Sequence, residues 1–297
     1  MTIAKNSSSY RKSSLQGQMA ILAAAVFWST SGLFIKFLDW HPIVISGARS
    51  VIATAFLLIL RLLVPNPKTE RKSAALYLVS GILFAFMIYT FITANKLTTV
   101  ANVILLQYSG PIWGALLGWW LVKEKPHWEH WLALVFVMGG LLLFFRDSLD
   151  PGAFMGNLLA IISGVLMGAH TVSLRMFKDS DPRDAMIVAH MITALLAIPF
   201  FFFYPPTLNV STVLPILYMG TIQMGLSSFL LSYGIKRTTA IQAMLTAILD
   251  PVLSPIWVLV IMGEKPSLSA LAGGAIIVAA VIASSVIGMR RSEDHKT

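Results

Sequence analysis

The chain has 297 residues, of which 57% are hydrophobic and 12% charged, where a soluble domain carries about 25% charged residues. Cysteine is absent, which excludes disulfide, zinc-thiolate, iron–sulfur and thiol-nucleophile chemistry. The formal charge of +9 lies mostly in short loops and tails, with no basic stripe interleaved with stacking aromatics; this points to membrane topology and phospholipid contact and away from nucleic acid.

Read in chain order, residues 1–18 form a polar, basic, Ser-rich segment, expected to be a disordered cytoplasmic tail. The apolar run that follows is longer than the roughly 7–15 residues of a signal-peptide core, so it reads as an uncleaved first helix. Ten runs are then near the ~20 residues needed to cross the hydrocarbon: 19–38, 43–64, 74–94, 99–122, 129–145, 154–176, 184–204, 212–235, 239–262 and 267–289. Breaks fall at Asp39–Pro42, Pro65–Pro67, Pro126, Asp150–Gly152, Asp181-Pro182, Pro205-Pro206 and Pro266. The alternating segments of a membrane barrel are absent. Seventeen of the 22 Lys and Arg residues fall on the side of the N-terminus and four (Lys36, Lys96, Arg146, Lys265) on the other, with Arg49 inside a span. That imbalance places both termini in the cytoplasm and requires an even number of spans.

The stretch Lys96–Pro126 recurs without a gap as Lys236–Pro266, at a constant offset of 140 residues. The two copies share the Lys, a Thr-Thr pair, a mid-segment Pro and a closing Glu-Lys-Pro. Five spans per copy is an odd number, so the second copy enters from the opposite side and the repeats are inverted. The earlier parts match more weakly: Phe34-Ile35-Lys36 aligns with Met176-Phe177-Lys178, which sets Trp28 opposite His170 and Pro42 opposite Pro182. The expected organisation is a tail (1–18), a first five-helix repeat (19–145), a second (154–289) and a closing tail (290–297).

The paired Thr-Thr, Pro and Glu-Lys-Pro elements, with Phe27-Trp28 and Lys36 in the first span, resemble the EamA repeat of the drug/metabolite transporter superfamily. The resemblance covers both repeats, and Pro111/Glu124 with Pro251/Glu264 carry it most specifically. It implies an all-α integral membrane protein of ten transmembrane helices, cytoplasmic termini in the cell inner (plasma) membrane, and export of small metabolites, often amino acids.

Several residues stand out at membrane depth. Pro111 and Pro251 are repeat mates, and a mid-span proline frees carbonyls that must find partners or line a wet cavity; they are expected to kink the helices at a gate. Asp250 precedes Pro251, and an acid at that depth costs roughly 2.5–3.5 kcal/mol on insertion scales, so it is a candidate for an ammonium or a proton. Arg49 is its natural counter-charge, or a structural cation snorkelling to the outer interface. His170 pairs with Trp28 across the repeat, while His190 reads as an interhelical hydrogen-bonding group. Gln107, Tyr108, Tyr89, Tyr233, Gln242 and Thr246, with Trp28, His170 and Asp250, form the expected substrate-binding set. Asn102 and Gln223 add further amides. Such a mixture of rings, hydroxyls and amides suits a small amphipathic zwitterion.

Other features read as structural. Glu124 and Glu264 sit at the water interface, where a carboxylate fixes a loop at little desolvation cost. Gly114/Gly118 and Gly164/Gly168 are packing seams, and Trp119, Trp120, Trp128 and Trp131 are belt anchors. His127-Trp128-Glu129-His130 lacks the i, i+4 histidines of a zinc helix, so no metal is expected. No P-loop is present, so ATP coupling and any cofactor are set aside. The leading reading is a secondary transporter with a small-molecule solute and lipid as its partners, working with or without proton coupling; the sequence does not address oligomeric state. An intramembrane enzyme would need a G-x-S-x-G, H-E-x-x-H or paired-aspartate signature, and a channel more often builds its filter by subunit symmetry.

Overall fold

The computed structural model describes residues 2–30, 34, 38–64, 72–146, 154–262 and 267–294. The helices are α1 (Thr2–Trp28), α2 (Pro42–Leu63), α3 (Ala74–Leu97), α4 (Val100–Gln107), α5 (Gly110–Val122), α6 (Trp128–Phe144), α7 (Phe154–Arg175), α8 (Pro182–Phe203), α9 (Val210–Tyr218), α10 (Ser227–Ile235), α11 (Ala240–Ala247), α12 (Leu249–Met262) and α13 (Leu268–Asp294). A π-helical stretch, Met219–Leu226, joins α9 to α10. Lys36 and the closing Glu264-Lys265-Pro266 of the second copy lie outside the described residues.

Six stretches are long and apolar enough to cross a membrane by length and composition: α2, α3, α7, α8, the run from α9 to α10, and α13. The expectation of ten spans differs from this for physical reasons. The fourth and ninth are each divided into two short helices, the fifth is α6 at 17 residues, and in the first, 19–38, residues 31–33 and 35–37 lie outside the described residues. The N-terminal segment is also not a disordered tail: α1 begins at Thr2, and Ser14, Gly17 and Gln18 are buried. Gly17 permits this. A Cβ there would stand 2.7 Å from Cβ of Arg237, and a Cβ on Gly234 would stand 2.7 Å from the Gly17 carbonyl oxygen. Two bare backbones let α1 lie flush on the end of α10.

The helices up to α6 pack mainly on those from α7 onward, and the contacts come in matched sets. α3 lies on α7 as α10 lies on α1; α4 and α5 meet α7 as α11 and α12 meet α1; α3 meets α8 as the π stretch meets α2. Two contacts join equivalents, α2 with α8 and α6 with α13. The two expected glycine pairs touch through one member each: a Cβ on Gly168 would stand 2.7 Å from the Gly114 nitrogen, while one on Gly164 would stand 2.8 Å from the Gln107 carbonyl oxygen. Small residues here let α4 and α5 approach α7 to backbone contact.

The division of the fourth and ninth spans explains the repeated Thr-Thr. Thr99 caps α4 by accepting from the Asn102 amide at 3.2 Å, and Thr239 caps α11 by accepting from the Gln242 amide at 3.3 Å. An N-cap hydroxyl satisfies one of the amides a helix start leaves orphaned. Eight residues on, both helices end in the same way: the Tyr108 amide donates to Ile104 O at 3.0 Å and the Ile248 amide to Met244 O at 3.2 Å. Pro111 is the second residue of α5 and Pro251 the third of α12. Each proline therefore falls in the first turn of the following half-helix, where its missing N–H costs nothing.

Apolar side chains fill the space between the helices. Leu134, Val137, Leu141, Ile241, Ile248 and Ile277 form one buried cluster, and Ile21, Leu57, Phe84, Leu174, Phe177 and Ile235 another. The outward faces are apolar too; Leu62, Trp120, Val135, Phe202 and Leu268 are exposed, as suits lipid contact. All four belt tryptophans, 119, 120, 128 and 131, are exposed. One end of the bundle is tied by basic residues: Arg61 pairs with Asp184, Arg175 with Glu124, Arg183 donates to Val64 O and Lys236 to Ser180 O.

Candidate functional site

A cavity of about 310 Å³ lies where the interrupted helices meet α1, α2, α3, α7 and the π stretch. Of the expected residues, Trp28, Gln107, Tyr108, His170 and Asp250 line it. The aligned positions Trp28 and His170 thus face one space from opposite halves. Arg49, Gln223, Ser46, Thr171 and Ser228 complete its polar wall. The apolar wall is supplied by Phe84, Ile88, Phe91, Ile92 and five methionines: 87, 167, 186, 224 and 244. Unbranched thioether side chains adapt to varied shapes, as in promiscuous binding surfaces.

Four expected residues lie outside the lining because their polar groups are used locally. The Tyr89 hydroxyl donates to Thr193 O at 2.9 Å, tying α3 to α8. Tyr233 lies beneath the Arg237 guanidinium, 3.5 Å from its ring centre. Gln242 returns its Oε1 to the Thr239 amide at 3.3 Å in the α11 cap, and Thr246 donates to the Gln242 carbonyl at 2.9 Å.

The charged groups of the cavity are separate. The Tyr108 hydroxyl donates to Asp250 Oδ2 at 3.5 Å, a weak contact. Among the described residues no Lys or Arg pairs with Asp250. It stands in the first turn of α12, where the helix dipole favours an anion. Arg49 is not its counter-charge and does not snorkel outward. It is 8% exposed, it lines the cavity, and its Nε has no hydrogen-bond partner among the described residues.

Two amphoteric side chains add unused capacity. His170 Nδ1 donates to Ser80 O at 3.1 Å, since a carbonyl can only accept. That leaves its buried Nε2 an acceptor without a partner among the described residues. Gln223, in the π stretch, gives its Nε2 to Trp28 O at 3.4 Å and leaves Oε1 unmatched. A π stretch shifts the side-chain register by part of a turn and is frequent at functional sites. Behind the cavity, His190 sits between Ser228 Oγ (3.0 Å) and Ser50 Oγ (3.4 Å). The Phe84 ring separates His170 from His190, with centroids 5.0 and 5.1 Å away.

Among the described residues no group of three or more His, Cys, Asp or Glu is placed to hold a metal ion. His127 and His130 instead exchange the two bonds of a capping box at the start of α6. The arrangement can bind a small solute by opposed charges, amides and an adaptable apolar wall.

The described residues thus form a helical bundle with membrane-length apolar spans and a solute-sized cavity between its halves. The chain belongs to the EamA-like transporter family, whose profile matches twice, over residues 15–146 and 154–286. The uncharacterized transporter YwfM of Bacillus subtilis (strain 168) is similar, 25% identical over 276 residues, 89% of this chain and 92% of that one. An uncharacterized transporter of Archaeoglobus fulgidus is 25% identical over 274 residues, covering 86% and 92% of the two chains. A solved crystal structure shares the fold with a TM-score of 0.78 at 20% identity, over 92% of this chain and 98% of that one. The protein is thus a multi-pass membrane transporter with a small-molecule solute.

Proposed function

We propose that this chain is a secondary exporter of small amphipathic metabolites, amino acids above all, working by alternating access. Its ten membrane crossings form two inverted five-helix repeats with both termini in the cytoplasm, in the cell inner (plasma) membrane. The solute sits halfway through the bilayer, in the cavity reached by Trp28, Gln107, Tyr108, His170 and Asp250. Rocking of one half against the other opens that cavity to each side in turn, with the half-helix starts at Pro111 and Pro251 as the gating elements. No cofactor or ATP takes part, and the cycle runs on the solute gradient or on a proton taken by Asp250.

One observation carries this reading. The α4 and α11 breaks, 140 residues apart, both border the cavity, through Gln107 and Tyr108 on one side and Ala247 and Asp250 on the other. Paired broken helices around a central site are a recurring feature of inverted-repeat transporters. The matched contacts of α3 with α7 and of α10 with α1 support the inverted relation. Purified protein in liposomes loaded with a panel of amino acids and other small metabolites tests the reading. Saturable, protein-dependent efflux of at least one is expected; no flux for any class would end it.

A further inference from the structure

We infer that Arg49 is the acid-binding pole of the cavity, so that the cargo must carry a carboxylate, and Asp250 holds the cargo's positive group. This rests on the transporter reading above and assigns a specificity-determining residue within it.

The first observation is isolation. Arg49 is 8% exposed, lines the cavity, has no ion-pair partner among the described residues and leaves Nε unmatched. A guanidinium cannot shed its charge by deprotonation, and at membrane depth a charged residue costs roughly 2.5–3.5 kcal/mol on insertion scales. Two other arginines among the described residues are satisfied: buried Arg183 grips Asp181 with Nε and Nη2 and gives Nη1 to Val64 O, and partly buried Arg175 is bound to Glu124 and Ile235 O. Arg49, unlike these two, keeps its fork of donors uncommitted beside the cavity.

The second observation is that packing does not require it. α2 and α8 are equivalents that pack on each other, and the Pro42–Pro182 alignment sets Ala189 opposite Arg49. Ala189 is fully buried and fills the same place in the second half without any charge. Asp250 has the same character, with Gly110 as its repeat mate. Each half thus contributes one charge that its twin lacks, of opposite sign, to one cavity. Planar, bidentate recognition of a carboxylate is what the guanidinium fork fits best.

The test uses the full chain in nanodiscs and in liposomes, with the proteinogenic amino acids and the matching carboxamide of each as probes. For every amino acid that protects against thermal unfolding, its carboxamide should need about tenfold or more higher concentration. Arg49→Gln should erase that difference, and Arg49→Lys, which keeps charge but not the fork, should keep part of it. Asp250→Asn should instead weaken amino acids while leaving acids without an amine little changed. The inference is overturned if carboxamides bind as well as acids, if Arg49→Gln still discriminates, or if no carboxylate binds. Should Arg49→Gln fail to fold, the wild-type acid-to-amide ratio and Arg49→Lys decide. Flux of a neutral solute alone would sink this inference and leave the transporter reading standing; no flux at all would sink the reading itself.

Discussion

The Glu124 carboxylate ties three helices together: Oε1 accepts from Arg175 Nε at 2.6 Å while Oε2 accepts from the Ala240 amide, the first residue of α11, at 3.1 Å. Arg175 also donates to Ile235 O at the end of α10. The ends of α5, α7 and α10 and the start of α11 are therefore fastened at the basic end of the bundle. The cavity lining, by contrast, reaches Pro42 at the opposite end of α2 from Arg61. The Glu of the repeated Glu-Lys-Pro thus fixes a loop as its interface position suggested, but it does so across the two halves.

Breaking this clasp should loosen that end. Glu124→Gln or Arg175→Met should cost about 1–3 kcal/mol, since each leaves a partly buried charge without its partner. The double variant should lose little more than the worse single one. Thermal unfolding in detergent checks this; additive losses would show that the two residues act separately.

The glycine seam offers a second check. Gly168→Ala should destabilise by about 1–3 kcal/mol, because the new methyl meets the backbone of Gly110 and Gly114 and nothing flexible can yield. Gly139→Ala, with nothing within 4 Å, should gain about 0.5–1 kcal/mol from helix propensity. Equal effects at the two sites would refute the close approach of α5 and α7.

Asp250 should set the pH response. A proton competes with a bound ammonium for the carboxylate, so the ionised form binds and affinity for an amino acid falls as the medium becomes more acidic. Asp250→Asn should lower affinity and flatten the profile. An unchanged slope in that variant would move the titrating group elsewhere.

Orientation can be read directly, because the chain has no native cysteine to confuse thiol labelling. Single cysteines replacing Lys96 and Lys236 should react with a membrane-impermeant reagent from opposite sides, Lys96→Cys from outside and Lys236→Cys only after permeabilisation. Labelling from one side alone would remove the inverted repeat.

Much of this architecture is legible in residue order. The repeat set matched spans beginning at residues 99 and 239, where Thr99 and Thr239 cap helices, and Asp250 beside Pro251 marked a polar group at membrane depth. What escaped has local causes. Arg49 read as a counter-charge or as a snorkelling structural cation, because a sequence cannot say that two opposite charges in one cavity stay unpaired. Tyr89, Tyr233, Gln242 and Thr246 had suitable chemistry, but their hydroxyls and amides are taken by nearby carbonyls and caps. The lining methionines gave no signal, since a methionine facing a cavity and one facing lipid look alike in a single sequence. The helical extension of α1 depended on Gly17 meeting Gly234, a contact between residues more than two hundred positions apart.

The divided spans bear on how the chain is made. A helix of eight residues, such as α4 or α11, reaches only about 12 Å of a hydrocarbon layer ~30 Å thick, so neither is a self-sufficient hydrophobic rod when it leaves the ribosome. α11 meets a neighbour already synthesised, α1, whereas α4 leans on α7, which emerges later. During biogenesis the earlier broken segment must therefore wait, half-supported, for the second half of the polypeptide to arrive.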